Sequence, residues 1–455
     1  MRLLRPLARR LDQGGFPAGV SNAFLFAIFN AFSFQIVLSS PMVLFARALG
    51  ASATVLGIIA GMMPLLVIFQ IPAAHYVARV GYKQFVFAGW GTRVMFIFGM
   101  ALVPMTGIFL SPTSQLALLL FLLFGFNLSR GISSCAWLPW ITSLIPENIR
   151  GRYLAWDAAC VNLASFVTFV LAAFCLGIQP RPWQFAVLFA FSATMGMASL
   201  SFLRQMPDVA SPEETKVTTT PVPWREIAGY APFRKLLLVY FVWSIAYGGL
   251  TTFVVAFLRS ELRMTEQTIL LLTAVSFIGG WSSLGLLGSR MDRLGSKPVL
   301  IFSFLTWIFL MLGWAGLAGG LVSARLVLIL VLEFLIGLAS ALINMATLRL
   351  AMAVIPVMGR NHFFALYSVV GNLTQGIAPI LWGLLIDALR VLHIRWKYWE
   401  WNRYSVFFLL VTVVFIWALA STRRLEEPKA ARMDELLREV LLQPWRFWLR
   451  FWPRG

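Results

Sequence analysis

Apolar residues run through this chain in long blocks separated by short polar gaps. A membrane-spanning helix needs ~20 mostly apolar residues. Twelve blocks meet that length: 20–45, 53–77, 85–109, 115–143, 153–178, 183–204, 235–258, 266–288, 298–320, 324–350, 361–389 and 403–420. Several exceed 25 residues, which predicts tilt or extension past the bilayer. The longest polar gap, 205–234, holds Pro207, Pro212, Pro221, Pro223 and a run of three threonines, and reads as a linker. It falls after the sixth block and divides twelve into six plus six. The expected organisation is a basic segment (1–19), a six-helix half (20–204), the linker (205–234), a second six-helix half (235–420) and a tail (421–455). In the tail, Trp445, Trp448 and Trp452 share one helical face and Arg446, Arg450 and Arg454 another, which predicts an interfacial amphipathic helix.

Composition agrees with an all-α integral membrane protein. Of the 455 residues, 60% are hydrophobic and 12% charged, against about half and about a quarter in soluble domains. The net charge of +19 would suggest nucleic acid in a soluble protein, but here the basic residues sit between apolar blocks and at the ends. Placing the N-terminus inside puts 25 of the 37 Lys and Arg residues in inner segments and nine in outer loops. That assigns both termini to the cytoplasm, and a bacterial inner membrane is the expected location. The loop 390–403 departs from the rule: it falls outside, yet carries Arg390, Arg395, Lys397 and Arg403. The basic N-terminus lacks a short apolar core with a cleavage site, so no cleaved signal peptide is expected. Cys135, Cys160 and Cys175 have neither disulfide nor zinc spacing.

Two pairs of loops repeat. Arg79, Gly81 and Lys83 follow span two, and Arg293, Gly295 and Lys297 follow span eight, offset by 214. Ile145, Pro146, Arg150 and Asn162 follow span four, and Ile355, Pro356, Arg360 and Asn372 follow span ten, offset by 210. This implies two parallel repeats related by an axis along the membrane normal. Gly81 and Gly295 predict tight turns between helices.

With these loops the chain resembles the major facilitator superfamily (MFS) over roughly residues 20–421. Gly288, Asp292, Arg293, Gly295 and Lys297 fill every fixed place of that family's signature, G-x-x-x-D-R-x-G-x-[RK]. In the first copy Ala74 and Ala78 replace the Gly and the Asp. The resemblance implies two pseudo-symmetric six-helix bundles, a secondary transporter working by alternating access, and a gate in which Asp292 meets Arg150 or Arg152 at the start of span five. The alternative is a plain loop salt bridge. Ala78 leaves the mirror gate without its carboxylate, so unequal gates are expected. The resemblance also places spans one, four, seven and ten around a central cavity.

Ionisable residues at membrane depth are functional candidates. Arg130 lies midway along span four, with Asn127 and Ser134 on its face. A cation there suits an anionic or strongly polar solute, the alternative being a fixed pair with Asp157 or Glu333. Glu333 begins a polar face of span ten that continues through Gly337, Ser340 and Asn344, and is a candidate proton carrier. Asp157 is read as a helix-start or gate residue, with proton coupling as its other role. Arg93, on a span the resemblance makes peripheral, is expected to snorkel. Span one offers Asn30, Ser33 and Ser40; span seven offers Trp243, Tyr247 and Thr251, as solute-stacking or packing groups.

No nucleotide-binding loop accompanies the spans and no span holds a Cys/His cluster, so an ATP-driven pump, a metal, a cofactor and an intramembrane enzyme are not expected. The Gly-Pro-rich motif of the family's proton-coupled drug exporters is absent from 153–178. The leading expectation is a monomeric carrier of a small polar or anionic organic solute in the lipid bilayer, with protons as a candidate coupling ion. The alternatives are a multidrug/proton efflux carrier and a non-transporting MFS-like sensor or assembly factor.

Overall fold

The computed structural model describes residues 21–145, 147–209, 229–287, 295–355, 360–425 and 427. The expected N-terminal segment, most of the linker and the tail helix lie outside these residues.

The first half opens with α1 (Ser21–Leu38) and α2 (Ser40–Ala48), which meet at an extended Ser39 with Pro41 in the first turn of α2. Together they form span one. Span two is α3 (Ala53–Leu66) and α4 (Gln70–Val80), joined by a short 3-10 turn after Pro64. The Ser52 hydroxyl caps α3 by accepting from the Val55 amide. Then come α5 (Tyr82–Leu102), α6 (Pro112–Leu144), α7 (Glu147–Leu176) and α8 (Pro182–Gln205). Ser111 caps α6, with Pro112 supplying the pre-set φ of a first helical residue.

The second half holds α9 (Ala231–Tyr247), α10 (Leu250–Ser260), α11 (Glu266–Leu287), α12 (Ser296–Ala318), α13 (Leu326–Val354), α14 (Arg360–Ala388) and α15 (Arg403–Arg423). Span seven therefore begins four residues before the expected 235 and breaks at Gly248 and Gly249, where Gly249 has φ +75°. Between α14 and α15 stands a hairpin of β1 (His393–Trp396) and β2 (Trp399–Asn402) that the spans did not predict. Eleven helices among the described residues are long and apolar enough to cross a membrane. The remaining expected span is α11, a continuous helix of 22 residues. At ~1.5 Å per residue it is about 33 Å long, enough for a hydrocarbon core of ~30 Å.

The chain forms two compact units: residues 1–219 with 251–274, and residues 220–250 with 275–455. The first unit has a core of Phe24, Phe26, Trp90, Trp140 and Tyr153, in which Phe26 stacks on Trp90 at 4.8 Å. In the second, Trp307 stacks on Phe415 at 5.1 Å and leans on Trp243 at 5.8 Å.

The repeat is visible in backbone and side chains. Gly81 has φ +86° and Gly295 φ +81°, each with extended ψ, a region open only to glycine. Each stands at the start of the next helix. The Lys83 ammonium donates to the Met206 carbonyl at 2.8 Å, and that of Lys297 to the Arg423 and Leu425 carbonyls at 3.1 and 2.7 Å. In both halves the final basic residue of the loop thus sits on the C-terminal end of the half's last helix, where the helix dipole favours a cation. Asn162 and Asn372 both donate to the carbonyl four residues earlier.

Candidate functional site

Arg130, on α6, is half-buried, and its guanidinium has no hydrogen bond or ion pair among the described residues. Asn127, one turn earlier, is fully buried; its amide donates to the Leu123 carbonyl and its Oδ1 has no donor. Ser134, one turn later, donates to the Gln70 side chain at 3.3 Å. The three residues are thus held differently: the Arg130 side chain without a partner among the described residues, Asn127 bonded within α6, and Ser134 bonded to Gln70.

Arg93 does not snorkel. It is 3% exposed, and it donates through Nη2 to Asn30 Oδ1. Its guanidinium lies 4.7 Å from the centroid of Trp90, a cation–π contact. Its Nε has no acceptor. Arg93 also lies near enough to Arg130 for the two charges to repel. Span three is thus not peripheral at this position: α5 packs against both α6 and α8 and turns Arg93 inward. Asn30, expected to meet the solute, is engaged by Arg93. The first unit consequently brings two cations together on α5 and α6, one of them held by Asn30. Asp157, half-buried on α7, lies within electrostatic reach of Tyr153 and Cys160 and forms no ion pair among the described residues.

The second unit has its own polar cluster. Glu333 is 6% exposed and without a hydrogen bond or ion pair among the described residues. Tyr247 interacts with that carboxyl and is hydrogen-bonded to Ser340, one helical face further along α13. A second set joins Tyr240, Tyr367 and Thr347, with the two tyrosine rings stacked at 4.1 Å. Neither tyrosine of that pair stood out in the sequence, since each is an isolated phenol in an apolar helix. Asn344 is exposed.

Trp243 departs from the solute-stacking role. It is fully buried, stacked on Tyr247 at 4.6 Å and enclosed by Phe304, Trp307 and Phe415. Four-residue spacing defined a face of α9 correctly, but the Trp243 side of it faces the packed core.

Of the gate residues, Arg79 is exposed, and Gly81, Lys83, Gly295 and Lys297 take the turn and docking positions described above. Gly288, Asp292 and Arg293, together with the side chains of Arg150 and Arg152, lie outside the described residues. Beside this loop the sequence missed Glu427. Its carboxylate accepts from the Ser296 and Lys297 amides at 2.8–3.0 Å and pairs with Arg349 at 3.2 Å. It caps α12 and ties that helix to α13.

The Major Facilitator Superfamily model matches residues 23–279 and again 236–453. This chain belongs to the Major Facilitator Superfamily. The two overlapping matches, one to each half, parallel the internal repeat. Solved superfamily structures share the fold: a D-xylose–proton symporter (TM-score 0.71, 12% identity, 90% of this chain and 97% of that one), the xylose transporter from E. coli in an inward-open conformation (0.65, 13%, 91% and 98%), and a nucleoside transporter (0.65, 12%, 89% and 99%). No curated protein sequence matches. The chain is a multi-pass membrane protein of a transporter fold.

Proposed function

We propose that this protein is a secondary active transporter that moves a small polar or anionic organic solute by alternating access, with Arg130 as the cation that receives it. One observation carries the reading: a half-buried guanidinium at membrane depth, unpaired among the described residues and repelled by Arg93. Charge held at such depth is costly unless something compensates it. An entering anion or a dense set of solute hydroxyls would do so, and Arg93, held by Asn30 and Trp90, would keep the local field positive. The polar substrates named for the structural relatives, xylose and nucleosides, fit the same class. Glu333 is the proposed proton carrier, because it is a buried carboxyl without a fixed cation and beside an ionisable phenol. Asp157 is the second candidate.

The distribution of Lys and Arg supports a topology with both termini in the cytoplasm, and a bacterial inner membrane is the proposed location. The Ala78 departure in the first signature loop favours one rival, a superfamily fold that senses or assembles without transporting. The test is a thermal-shift screen of the purified protein against organic anions, sugars, amino acids and lipophilic cations, at mildly acidic and neutral pH. A ligand that binds only the folded state raises the melting temperature by mass action. An anion or sugar that stabilises the native protein and not Arg130→Ala supports the reading. Stabilisation by lipophilic cations alone, unchanged in Arg130→Ala, would replace it with drug export. Asp292→Asn separates the scaffold: a gated carrier loses turnover and keeps its fold.

A further inference from the structure

The loop that breaks the charge rule has a built structure. In the hairpin, Ile394 stands opposite Trp401 and Trp396 opposite Trp399, while His393 faces Asn402 and Arg395 faces Glu400. Directly paired residues share a face, so one face carries Ile394, Trp396, Trp399 and Trp401, and the other is polar. The base is fastened. The Glu400 backbone amide donates to the Gly319 carbonyl at 2.9 Å, and the Asn402 side-chain amide to the Ala318 carbonyl at 2.6 Å. Asn402 also caps α15 in a capping box with Ser405, and Trp399 lies against Gly319 so closely that a methyl group there would collide with it. The hairpin is therefore rigidly placed at the level where α12 ends and α15 begins.

Its outer part is not covered. Val391 is 90% exposed, Tyr398 84% and Trp396 66%, and Leu392, Ile394, Trp396 and Trp401 line an apolar recess. Lys397, at the turn, has φ +53° and is exposed. Residues 390–403 carry four basic side chains against one acid, Glu400, and that acid is already engaged by His393 at 3.5 Å. Exposed Trp and Tyr beside Arg and Lys, at the ends of spanning helices, is the composition of a membrane–water interface. The excess of positive charge adds an electrostatic preference for anionic headgroups.

We propose that the hairpin 393–402 is an anionic-phospholipid site, in which Trp396, Tyr398 and Val391 enter the headgroup layer and Arg390, Arg395 and Lys397 meet lipid phosphates. Three of the four basic residues on this loop, unexplained by the topology, then have a ligand. A lipid clamp here is tied through Gly319 and Asn402 to α12 and α15, so the lipid composition bears on the second unit directly.

The test uses the full chain in nanodiscs, whose two faces carry the same lipid, so the outcome does not depend on orientation. A polarity-sensitive fluorophore is placed at Tyr398→Cys, and at Val391→Cys as a second site, after Cys135, Cys160 and Cys175 are replaced. In discs with roughly one-third phosphatidylglycerol the label emits further to the blue, and iodide quenches it about twofold less or better, than in phosphatidylcholine alone. Raised salt shrinks the difference. Arg390→Gln/Arg395→Gln/Lys397→Gln abolishes it while gel-filtration behaviour is unchanged. Equal quenching in both lipids overturns the proposal, as does a lipid effect that survives the triple variant. Protection by dissolved glycerol phosphate in phosphatidylcholine discs would make the ligand a free phosphate compound and overturn the lipid assignment. Protection that appears only when a second protein is added would overturn it in favour of a protein partner.

Discussion

Two arginines in the same unit are held in opposite ways, and their removal is expected to have opposite signs. Arg93 has an acceptor in Asn30 Oδ1 and an aromatic face in Trp90. Replacing it with Met strands a half-buried amide oxygen, which costs ~1–3 kcal/mol, so Arg93→Met lowers the melting temperature of the ligand-free protein. Arg130 has repulsion from Arg93 and no partner among the described residues. Arg130→Met removes that repulsion, so the ligand-free protein melts at the same or a higher temperature while losing stabilisation by the solute, as when a binding residue is kept at the expense of stability. Differential scanning fluorimetry of both variants with and without solute checks the pair. A fall for Arg130→Met as large as that for Arg93→Met would make Arg130 a structural residue. Arg130 was legible in the sequence because a charge midway along an apolar span is conspicuous at any rotation of the helix. Arg93 was just as conspicuous, but its direction was not: α5 is apolar all round, and such a helix marks no inner face. Trp243 was open between stacking and packing for the same reason, since a row of aromatics defines a face without saying what it faces.

At the level of elements, close helix crossings fix the two halves in the same way. A Cβ at Gly131 on α6 would run into the Leu66 carbonyl at the end of α3, and one at Gly337 on α13 into the Ser276 carbonyl on α11. Membrane helices pack through such small residues because backbone approach there is the main source of contact. Gly131→Val and Gly337→Val should therefore each cost several kcal/mol by overpacking against backbone that cannot swing aside. Gly91→Ala meets nothing within 4 Å and should be neutral or stabilising by up to ~1 kcal/mol. Yield of monodisperse protein and melting temperature rank the three. Glu427 makes a comparable element-level prediction. Glu427→Ala uncaps α12 and removes one of the partners of Arg349, at ~0.5–2 kcal/mol for the cap, and Glu427→Gln should lose less. The spans, the six-plus-six division and both signature glycines were legible because each is a local pattern. Glu427 was not, since its partners lie 131 and 78 positions away. The hairpin was legible in part: from His393 the polar and apolar residues alternate, a strand period, but strands of four residues are too short to stand out between long apolar blocks.

For the whole molecule, the grouping of residues 251–274 with 1–219 has a functional consequence. Within that unit the Ser40 hydroxyl lies 3.2 Å from the Thr273 hydroxyl, and the Gln267 amide donates to the Gly177 carbonyl at 3.3 Å. Ser40 belongs to span one and Thr273 to span eight, so these contacts join helices of the two sequence halves at the ends that the proposed topology puts outside. A carrier working by alternating access must break them once in each cycle, because a solute can reach the site from outside only if those ends part. They are also weak: one hydroxyl pair and one backbone bond, each worth ~1 kcal/mol net, small enough to be made and broken on every turnover. A covalent bond in their place should stop the cycle. In a background without the three native cysteines, Ser40→Cys/Thr273→Cys should form a disulfide on mild oxidation, since the hydroxyl separation brings the two side chains within reach of a bond that needs Cβ atoms ~4 Å apart. Uptake into proteoliposomes, with the solute the thermal-shift screen supplies, should fall to background on oxidation and return on reduction, while each single cysteine transports normally throughout. Transport that persists after complete cross-linking would mean that the outer ends never separate. Alternating access around Arg130 would then be wrong, and a static, superfamily-like scaffold would account better for the Ala78 departure in the first loop.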